Sequence, residues 1–188
     1  MIRCGERYVA FLASVLLLFA GCQKRQSEQG KSDVGFGGTG GVAGIHWSVP
    51  KRWSELGARP MRVTTYGIPA AEGDQESAEC AVYFFGAGQG GTVDQNVDRW
   101  VGQFENPSTP TRSTKDVNGV AETMVKVGGT YLGMEGMQSS AKKQNYQLLG
   151  AIINAPQGWV FLKCTGPEKT VASAEAEFNA LTGSITKE

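Results

Sequence analysis

The sequence is poor in histidine and has no excess of either charge. His46 is its single histidine, and 18 basic residues balance 18 acidic ones. A lone histidine, with no cysteine or carboxylate cluster at ligand spacing beside it, excludes a histidine-rich metal site. A near-neutral chain without a stripe of lysine and arginine has no electrostatic basis for binding nucleic acid. We therefore expect neither a bound metal nor a nucleic-acid partner.

The sequence also lacks an apolar run long enough to cross a membrane. Its N-terminal apolar segment, residues 8–19, has only twelve residues and follows Arg3 and Arg7. As a helix this segment would span about 18 Å, whereas the hydrocarbon core of a bilayer is about 30 Å thick. A basic start, a short apolar segment and small residues after it are typical of a secretory signal peptide. We predict that residues 1–21 are such a peptide.

Residues 19–22, Phe-Ala-Gly-Cys, resemble the lipobox of bacterial lipoproteins, where leucine is commonest at the first position. The resemblance implies that Cys22 receives diacylglycerol and that its new N-terminus is acylated, for example with palmitate. Several chains on one cysteine give a stable anchor, since each buried CH₂ contributes about 0.8 kcal/mol. An ordinary signal peptide cleaved elsewhere is the alternative. Gln23 stands where an aspartate would favour the inner membrane, so we expect the periplasmic face of the outer membrane.

Residues 22–44 are rich in glycine and contain few apolar side chains. Such a segment cannot bury enough surface to offset the entropy of ordering it. We predict a flexible tether here. Loss of residues 1–21 would leave 16 basic and 17 acidic residues, because Arg3, Arg7 and Glu6 leave with them. Residues 45–188 are enough for one domain with its own core.

Alternating and apolar runs predict six strands and two helices in this domain. The predicted strands lie in residues 44–50, 61–69, 80–85, 118–134, 145–155 and 158–164. The first helix follows Thr92, which forms a capping-box pattern with Gln95, and the second follows Pro167. Strands that come in consecutive runs favour a mostly antiparallel sheet with helices packed on it. We predict an α+β fold of this kind.

Gly86, Gly88 and Gly91 have the G-x-G-x-x-G spacing of a dinucleotide-binding loop. In that motif the glycines end the first strand of a βαβ unit, and an acidic residue ends the next strand about 20 residues later. Here the glycines follow the third predicted strand, and Asp116 lies in a polar region with no predicted strand. We interpret the glycines as a turn in left-handed backbone conformations, and we expect no cofactor.

Three segments resemble the PsbP-like fold, which is named for an extrinsic subunit of photosystem II and is shared with Ran-binding Mog proteins. They are HWSVPKRW, TVDQNVDRWVGQF and GWVFLKCTGPEKTVASAEAEFNALTGSI, and the resemblance spans most of residues 45–187. It implies an α/β/α sandwich around a mostly antiparallel sheet. The fold also occurs in many bacterial lipoproteins of uncharacterised function. Its members mostly serve as assembly or binding factors, and the resemblance carries no catalytic motif.

Two cysteines are left once Cys4 leaves with the signal peptide and Cys22 is acylated. Cys80 begins the third predicted strand and Cys164 ends the sixth. The two ends coincide if these strands are antiparallel neighbours, and a disulfide is then feasible outside the cytoplasm. Two buried free thiols are the alternative.

Asn96, Arg99 and Gln103 recur on the first helix, opposite its apolar stripe. A solvated polar face is one explanation. The other is a binding patch, which the neighbouring glycine turn and the nearby segment with Arg52 and Trp53 would support.

These observations together predict a non-enzymatic, lipid-anchored envelope protein that binds a protein or a small ligand. An extracytoplasmic enzyme of the hydrolase class is the alternative, although no G-x-S-x-G elbow is present. A concave pocket with convergent polar groups and perturbed titratable residues would favour the enzyme. A purely structural assembly factor would instead show a broad apolar patch.

Overall fold

Eleven strands and three helices make up the part of the chain that this computed structural model describes, residues 34–57, 59–133 and 142–188. These residues belong to one unit, Ser32–Glu188. The predicted signal peptide, Cys22 and the tether up to residue 33 lie outside them. Within the described ranges, no helix has the length and apolar character needed to span a bilayer.

The three longest strands follow one another in the second half of the chain. In chain order the elements are β1 (Phe36–Val42), β2 (Ile45–Pro50), β3 (Ser54–Leu56), β4 (Thr64–Ile68), β5 (Ala78–Phe84), α1 (Val93–Val101), β6 (Phe104–Glu105), β7 (Thr111–Val117), β8 (Val120–Tyr131), β9 (Lys143–Ala155), β10 (Gly158–Pro167), α2 (Glu168–Ser173), α3 (Glu175–Gly183) and β11 (Thr186–Lys187). Thr92 caps α1, and the capping box with Gln95 is confirmed.

The strands form two sheets, and every described pairing is antiparallel. The large sheet has the order β3-β4-β5-β10-β9-β8, with β6 and β7 both paired to β8. The small sheet has the order β1-β2-β11. The predicted antiparallel character is therefore confirmed, and so is the β9–β10 hairpin around residues 156–157.

The alternation along β10 shows how the large sheet separates two cores. Leu162 and Cys164 face the larger core, which α2, α3 and the small sheet cover. Phe161 faces the smaller core on the opposite side, which α1 covers through Trp100. Trp100 packs against Gly150 of β9, where a Cβ would come within 2.1 Å of the indole ring. We call this second side of the sheet the α1 face.

The predicted tether is wrong in its last part, because residues 36–42 form strand β1 and pair with β2. Glycine permits this pairing, since a Cβ at Gly40 would lie 2.5 Å from the Trp47 ring and 2.6 Å from the Tyr66 hydroxyl. The low apolar content that suggested a tether reflects a strand that packs its backbone against large aromatic side chains. The folded domain therefore begins before residue 45.

The predicted sandwich of about six strands also needs correction, because the domain contains more sheet than that. A second sheet shares the larger core with α2 and α3, so this side is not a purely helical layer. The polar region around Asp116 contains no predicted strand, yet residues 111–117 form the exposed edge strand β7. The glycine turn is as predicted, since Gly86, Gly88 and Gly91 all have positive φ angles.

Candidate functional site

A cavity of about 540 Å³ opens on the α1 face, beyond the C-terminal end of α1. Strands β5, β8, β9 and β10 provide its floor, and residues ahead of β4 and β5 provide part of its rim. Its volume lies within the range of about 300–1,000 Å³ that is typical of small-molecule sites. We call it the Lys163 cavity, after the charged residue at its floor.

Lys163 is buried because strand alternation in β10 places it on the α1 face, next to Phe161. Its side chain is only 8% exposed. The ammonium donates hydrogen bonds to Gln103 Oε1 and, at 3.3 Å, to the Tyr131 hydroxyl. Burial lowers the pKa of Lys163 to about 8, and the nearby guanidinium groups of Arg62 and Arg99 act in the same direction.

Two further cations line the cavity, and each has a carboxylate partner. Arg62 donates to Glu79 Oε2 at 3.1 Å, and Arg59 binds the same carboxylate from outside the cavity. Lys143 forms an ion pair with Glu76, which also accepts a hydrogen bond from the Tyr146 hydroxyl at 2.5 Å. Hydrogen bonds from Lys143 and Tyr146 lower the pKa of the Glu76 carboxyl, so this acid is ionised at neutral pH.

Tyrosine rings form the apolar walls of the Lys163 cavity. Tyr131 and Tyr146 stack with ring centroids 5.9 Å apart. The Lys163 ammonium lies 5.5 Å from the Tyr131 centroid, and the Arg62 guanidinium lies 5.9 Å from the Tyr83 centroid. Burial raises the pKa of both Tyr131 and Tyr146, so their hydroxyl groups stay protonated at neutral pH. These walls suit a planar apolar group.

Thr165 adds a polar group that has no hydrogen-bond partner among the residues that the structure describes. It lies two residues after Lys163 on β10 and also lines the cavity. Its buried Oγ1 makes no hydrogen bond with any described residue. A buried hydroxyl of this kind is costly unless something hydrogen-bonds to it, which makes Thr165 a candidate ligand contact.

The structure separates the three residues of the predicted binding patch. Asn96 is fully buried, so its expected place opposite the apolar stripe is wrong. Its amide donates at 2.8 Å to the Gly90 and Thr92 carbonyls and so fixes the glycine turn to the start of α1. Arg99 is exposed and donates to Asn96. Only Gln103 contacts a residue of the Lys163 cavity.

Arg52 and Trp53 do not join that patch either. Both donate to the Glu177 carboxylate of α3, Arg52 Nη2 at 2.6 Å and Trp53 Nε1 at 2.8 Å. Burial alone would raise the pKa of the Glu177 carboxyl, but these hydrogen bonds outweigh it and lower the pKa. The HWSVPKRW segment therefore serves to attach α3 to the end of β2.

Cys80 and Cys164 lie directly opposite each other on β5 and β10, with Sγ atoms 2.32 Å apart in a disulfide. His46 is exposed and lies 3.0 Å from the Glu188 carboxylate. Within the described ranges, histidine, cysteine and acidic side chains form no group of three or more that could hold a metal ion.

A second cavity, of about 400 Å³, lies beside β8 and the start of α2. Its lysine, Lys126, forms an ion pair with Glu175 at 2.7 Å. Gln147 Nε2 is buried there without a hydrogen-bond partner among the described residues. The described residues that line this cavity include no buried cation comparable with Lys163, so we regard the Lys163 cavity as the better candidate site.

No family model matches the chain, and no curated protein matches its sequence. Solved structures do match it. Cyanobacterial PsbP (CyanoP) from Synechocystis sp. PCC 6803, known from a solution structure, superimposes with a TM-score of 0.50 at 12% identity. The match covers 82% of this chain and 98% of that one. The fold is PsbP-like.

A second structural neighbour is PA94 from Pseudomonas aeruginosa, described as a protein of unknown function and a putative regulator. Its crystal structure matches with a TM-score of 0.50 at 10% identity, and the match covers 82% of this chain and 99% of that one. Matches at such low sequence identity show the fold alone, and function on a shared fold depends on the individual site. The Lys163 cavity is therefore the part of the PsbP-like domain from which a function has to be argued.

Sequence reasoning did not predict this cavity, although one signal was present. Lys163 interrupts the apolar run of residues 159–162 and Cys164, and its neighbours on both sides are buried. A lysine inside an apolar strand that is covered on both faces is rarely buried without a reason. The other lining residues come from separate segments, and only the tertiary structure brings them together.

Proposed function

We propose that this chain is a lipid-anchored protein of the bacterial cell envelope, and that its PsbP-like domain binds a small ligand without chemical turnover. The lipobox-like segment that ends at Cys22 supports the anchor. The observation that supports binding is the Lys163 cavity, where a buried ammonium and an unpartnered hydroxyl lie between tyrosine walls. Polar groups that converge on an apolar pocket are what a ligand site requires.

An extracytoplasmic enzyme is the second candidate, and the lowered pKa of Lys163 favours it. A lysine with a pKa near 8 can act as a general base. However, the described hydrogen-bond partners of Lys163 are Gln103 and Tyr131, and no serine or cysteine nucleophile donates to it within the described part of the chain. A binding role needs no such nucleophile, which is why we favour binding.

The anchor is tested by metabolic labelling with palmitate, followed by separation of the two bacterial membranes. We expect the wild-type chain to carry label and to sediment with the outer membrane, while Cys22→Ser loses both properties. Cys4→Ser is the matched control, because that cysteine would leave with the signal peptide, and it should behave as the wild type. An unmodified, soluble wild-type chain would contradict the anchor.

Turnover is tested with p-nitrophenyl acetate, a simple ester that reports nucleophilic or general-base hydrolysis. We expect the wild type and Lys163→Met to release p-nitrophenol at the same slow rate. Faster release by the wild type that disappears in Lys163→Met would favour the enzyme over the binding protein.

A further inference from the structure

The described residues that line the Lys163 cavity include three cations and two acids. Among the described residues that line it, Glu79 is taken by Arg62 and Glu76 by Lys143. Within the described part of the chain, Lys163 hydrogen-bonds to the neutral groups of Gln103 and Tyr131 and to no carboxylate. The most buried of the three cations is thus the one without a carboxylate.

An ammonium buried in this way is costly unless an anion accompanies it. Deprotonation does not remove the cost at neutral pH, because a group with a pKa of about 8 is still mostly charged at pH 7. Among the described residues, Thr165 Oγ1 likewise has no acceptor or donor to satisfy it. The Lys163 ammonium and the Thr165 hydroxyl both lie on β10 and line the same cavity, so one bound anion could hydrogen-bond to both.

We propose that the cavity binds a small organic monocarboxylate, with its carboxylate at Lys163 and Thr165 and its planar body against the tyrosine walls. This inference rests on the proposed binding function and names the ligand class. A single negative charge matches the single unpaired cation. A dianion such as sulfate would be repelled more strongly by Glu76 and Glu79, and it would leave the aromatic walls uncovered.

The proposal predicts that binding depends on pH through Lys163. Charged and titratable groups surround it from several elements: Arg62, Glu76, Glu79, Tyr83, Arg99, Tyr131, Lys143 and Tyr146. Glu76 stays ionised and both Tyr131 and Tyr146 stay neutral near pH 8, because their pKa values are shifted away from it. Affinity should therefore be constant from pH 6 to 7 and fall about tenfold per unit once Lys163 deprotonates.

The experiment is calorimetric titration of the full chain in detergent with sodium benzoate, benzamide and sodium sulfate, each at pH 6.5 and at pH 9.5. We expect benzoate to bind at pH 6.5 at least tenfold more tightly than either of the other probes, and to lose most of its affinity at pH 9.5. Lys163→Met should weaken benzoate binding at least tenfold, and Thr165→Val severalfold.

Lys126→Met is the matched control, since it removes a lysine from the same sheet on the opposite face. It should leave benzoate binding unchanged. If Lys126→Met abolishes binding and Lys163→Met does not, benzoate occupies the second cavity and the proposal is overturned. Should Lys163→Met fail to fold by near-ultraviolet circular dichroism, the wild-type pH profile and Thr165→Val decide the matter in its place.

Failure of the ligand class and failure of the binding function give different results. Equal binding of benzamide and benzoate, lost in Thr165→Val, would refute the monocarboxylate and leave a binding cavity. Absence of heat with all three probes at millimolar concentration would overturn the monocarboxylate proposal. Turnover of p-nitrophenyl acetate that depends on Lys163 would overturn the binding function itself.

Discussion

At the scale of single residues, Glu122 shows how this domain tolerates a buried charge outside its cavity. The side chain is fully buried in β8, and Lys115 Nζ lies 3.3 Å from its Oε2. Lys115 is also hydrogen-bonded to Thr182 of α3, and neither oxygen of Glu122 has a hydrogen-bond partner among the described residues. Burial raises the pKa of Glu122 above its usual 4.5, and Lys115 only partly opposes this.

The raised pKa of Glu122 determines how the free energy of unfolding changes with pH. The folded chain holds the Glu122 proton more tightly than the unfolded chain does, so the free energy of unfolding decreases as the pH rises from 4.5 through the folded pKa. We expect Glu122→Gln to increase the free energy of unfolding at pH 8 by about 1 kcal/mol, which raises the melting temperature by about 2–4 °C. The difference should vanish near pH 4, and differential scanning calorimetry at both pH values measures it.

Glu105→Gln is the control, because Glu105 is exposed and pairs with Lys142 at the surface. Exposed ion pairs contribute little, so its melting temperature should match the wild type within about a degree. A melting temperature several degrees lower in Glu122→Gln would mean that the Lys115 ion pair outweighs the burial of the carboxylate.

At the scale of elements, α1 depends on one close contact with the sheet. Trp100 occupies the space above Gly150, where a Cβ would meet the indole ring at 2.1 Å. The ring cannot shift freely, because it belongs to the smaller core with Leu148, Ile152 and Phe161. A glycine in the middle of a long strand is thus the docking point of a helix.

We expect Gly150→Ala to lower the stability of the domain by about 1–3 kcal/mol, since an added methyl group overpacks this contact. Urea unfolding followed by tryptophan fluorescence measures the loss. Gly183→Ala is the matched control, because a Cβ there has no neighbour within 4 Å. It should be at least as stable as the wild type, since Gly183 ends α3 and alanine favours the helix. Equal stability of the two variants would show that α1 can move away from the sheet without cost.

At the scale of the whole molecule, the Cys80–Cys164 disulfide joins the early and late halves of the chain. It spans 84 residues in sequence and links the neighbouring strands β5 and β10 at the centre of the large sheet. Both cysteines are buried in the larger core. Loop closure of this length stabilises the folded state by about 4 kcal/mol on the chain-entropy model.

Reduction of this disulfide should therefore lower the melting temperature by roughly 10 °C. A Cys80→Ala, Cys164→Ala double variant should melt with the reduced protein, whether or not reductant is present. The bond itself is checked by mass spectrometry after alkylation with and without reductant. If both thiols of the native protein react without reductant, the disulfide is absent.

The parts of this fold that could be predicted are the ones encoded locally. The capping box at Thr92 and Gln95, the glycine turn and the β9–β10 hairpin all follow from short segments. Strand β1 could not be predicted, because Gly40 is explained only by Trp47 and Tyr66, which pack against it. Local patterns carry no information about such a partner.

The candidate site could not be predicted for the same reason. Helical spacing placed Asn96 on the polar face of α1, yet two carbonyl groups of the preceding turn draw its amide inward. Lys163 stands out in the sequence only as an exception within an apolar strand. Its lack of a carboxylate depends on which acids Arg62 and Lys143 bind, and those pairings cross from one strand to another.

The early start of β1 limits how far the domain could operate from a membrane. Thirteen residues separate Cys22 from Phe36, and a stretch of that length covers at most about 50 Å when fully extended. With acyl chains on Cys22, the start of β1 would stay within that distance of the lipid headgroups. The ligands of the domain would then have to diffuse to the bilayer surface, or be released there by neighbours embedded in the same membrane.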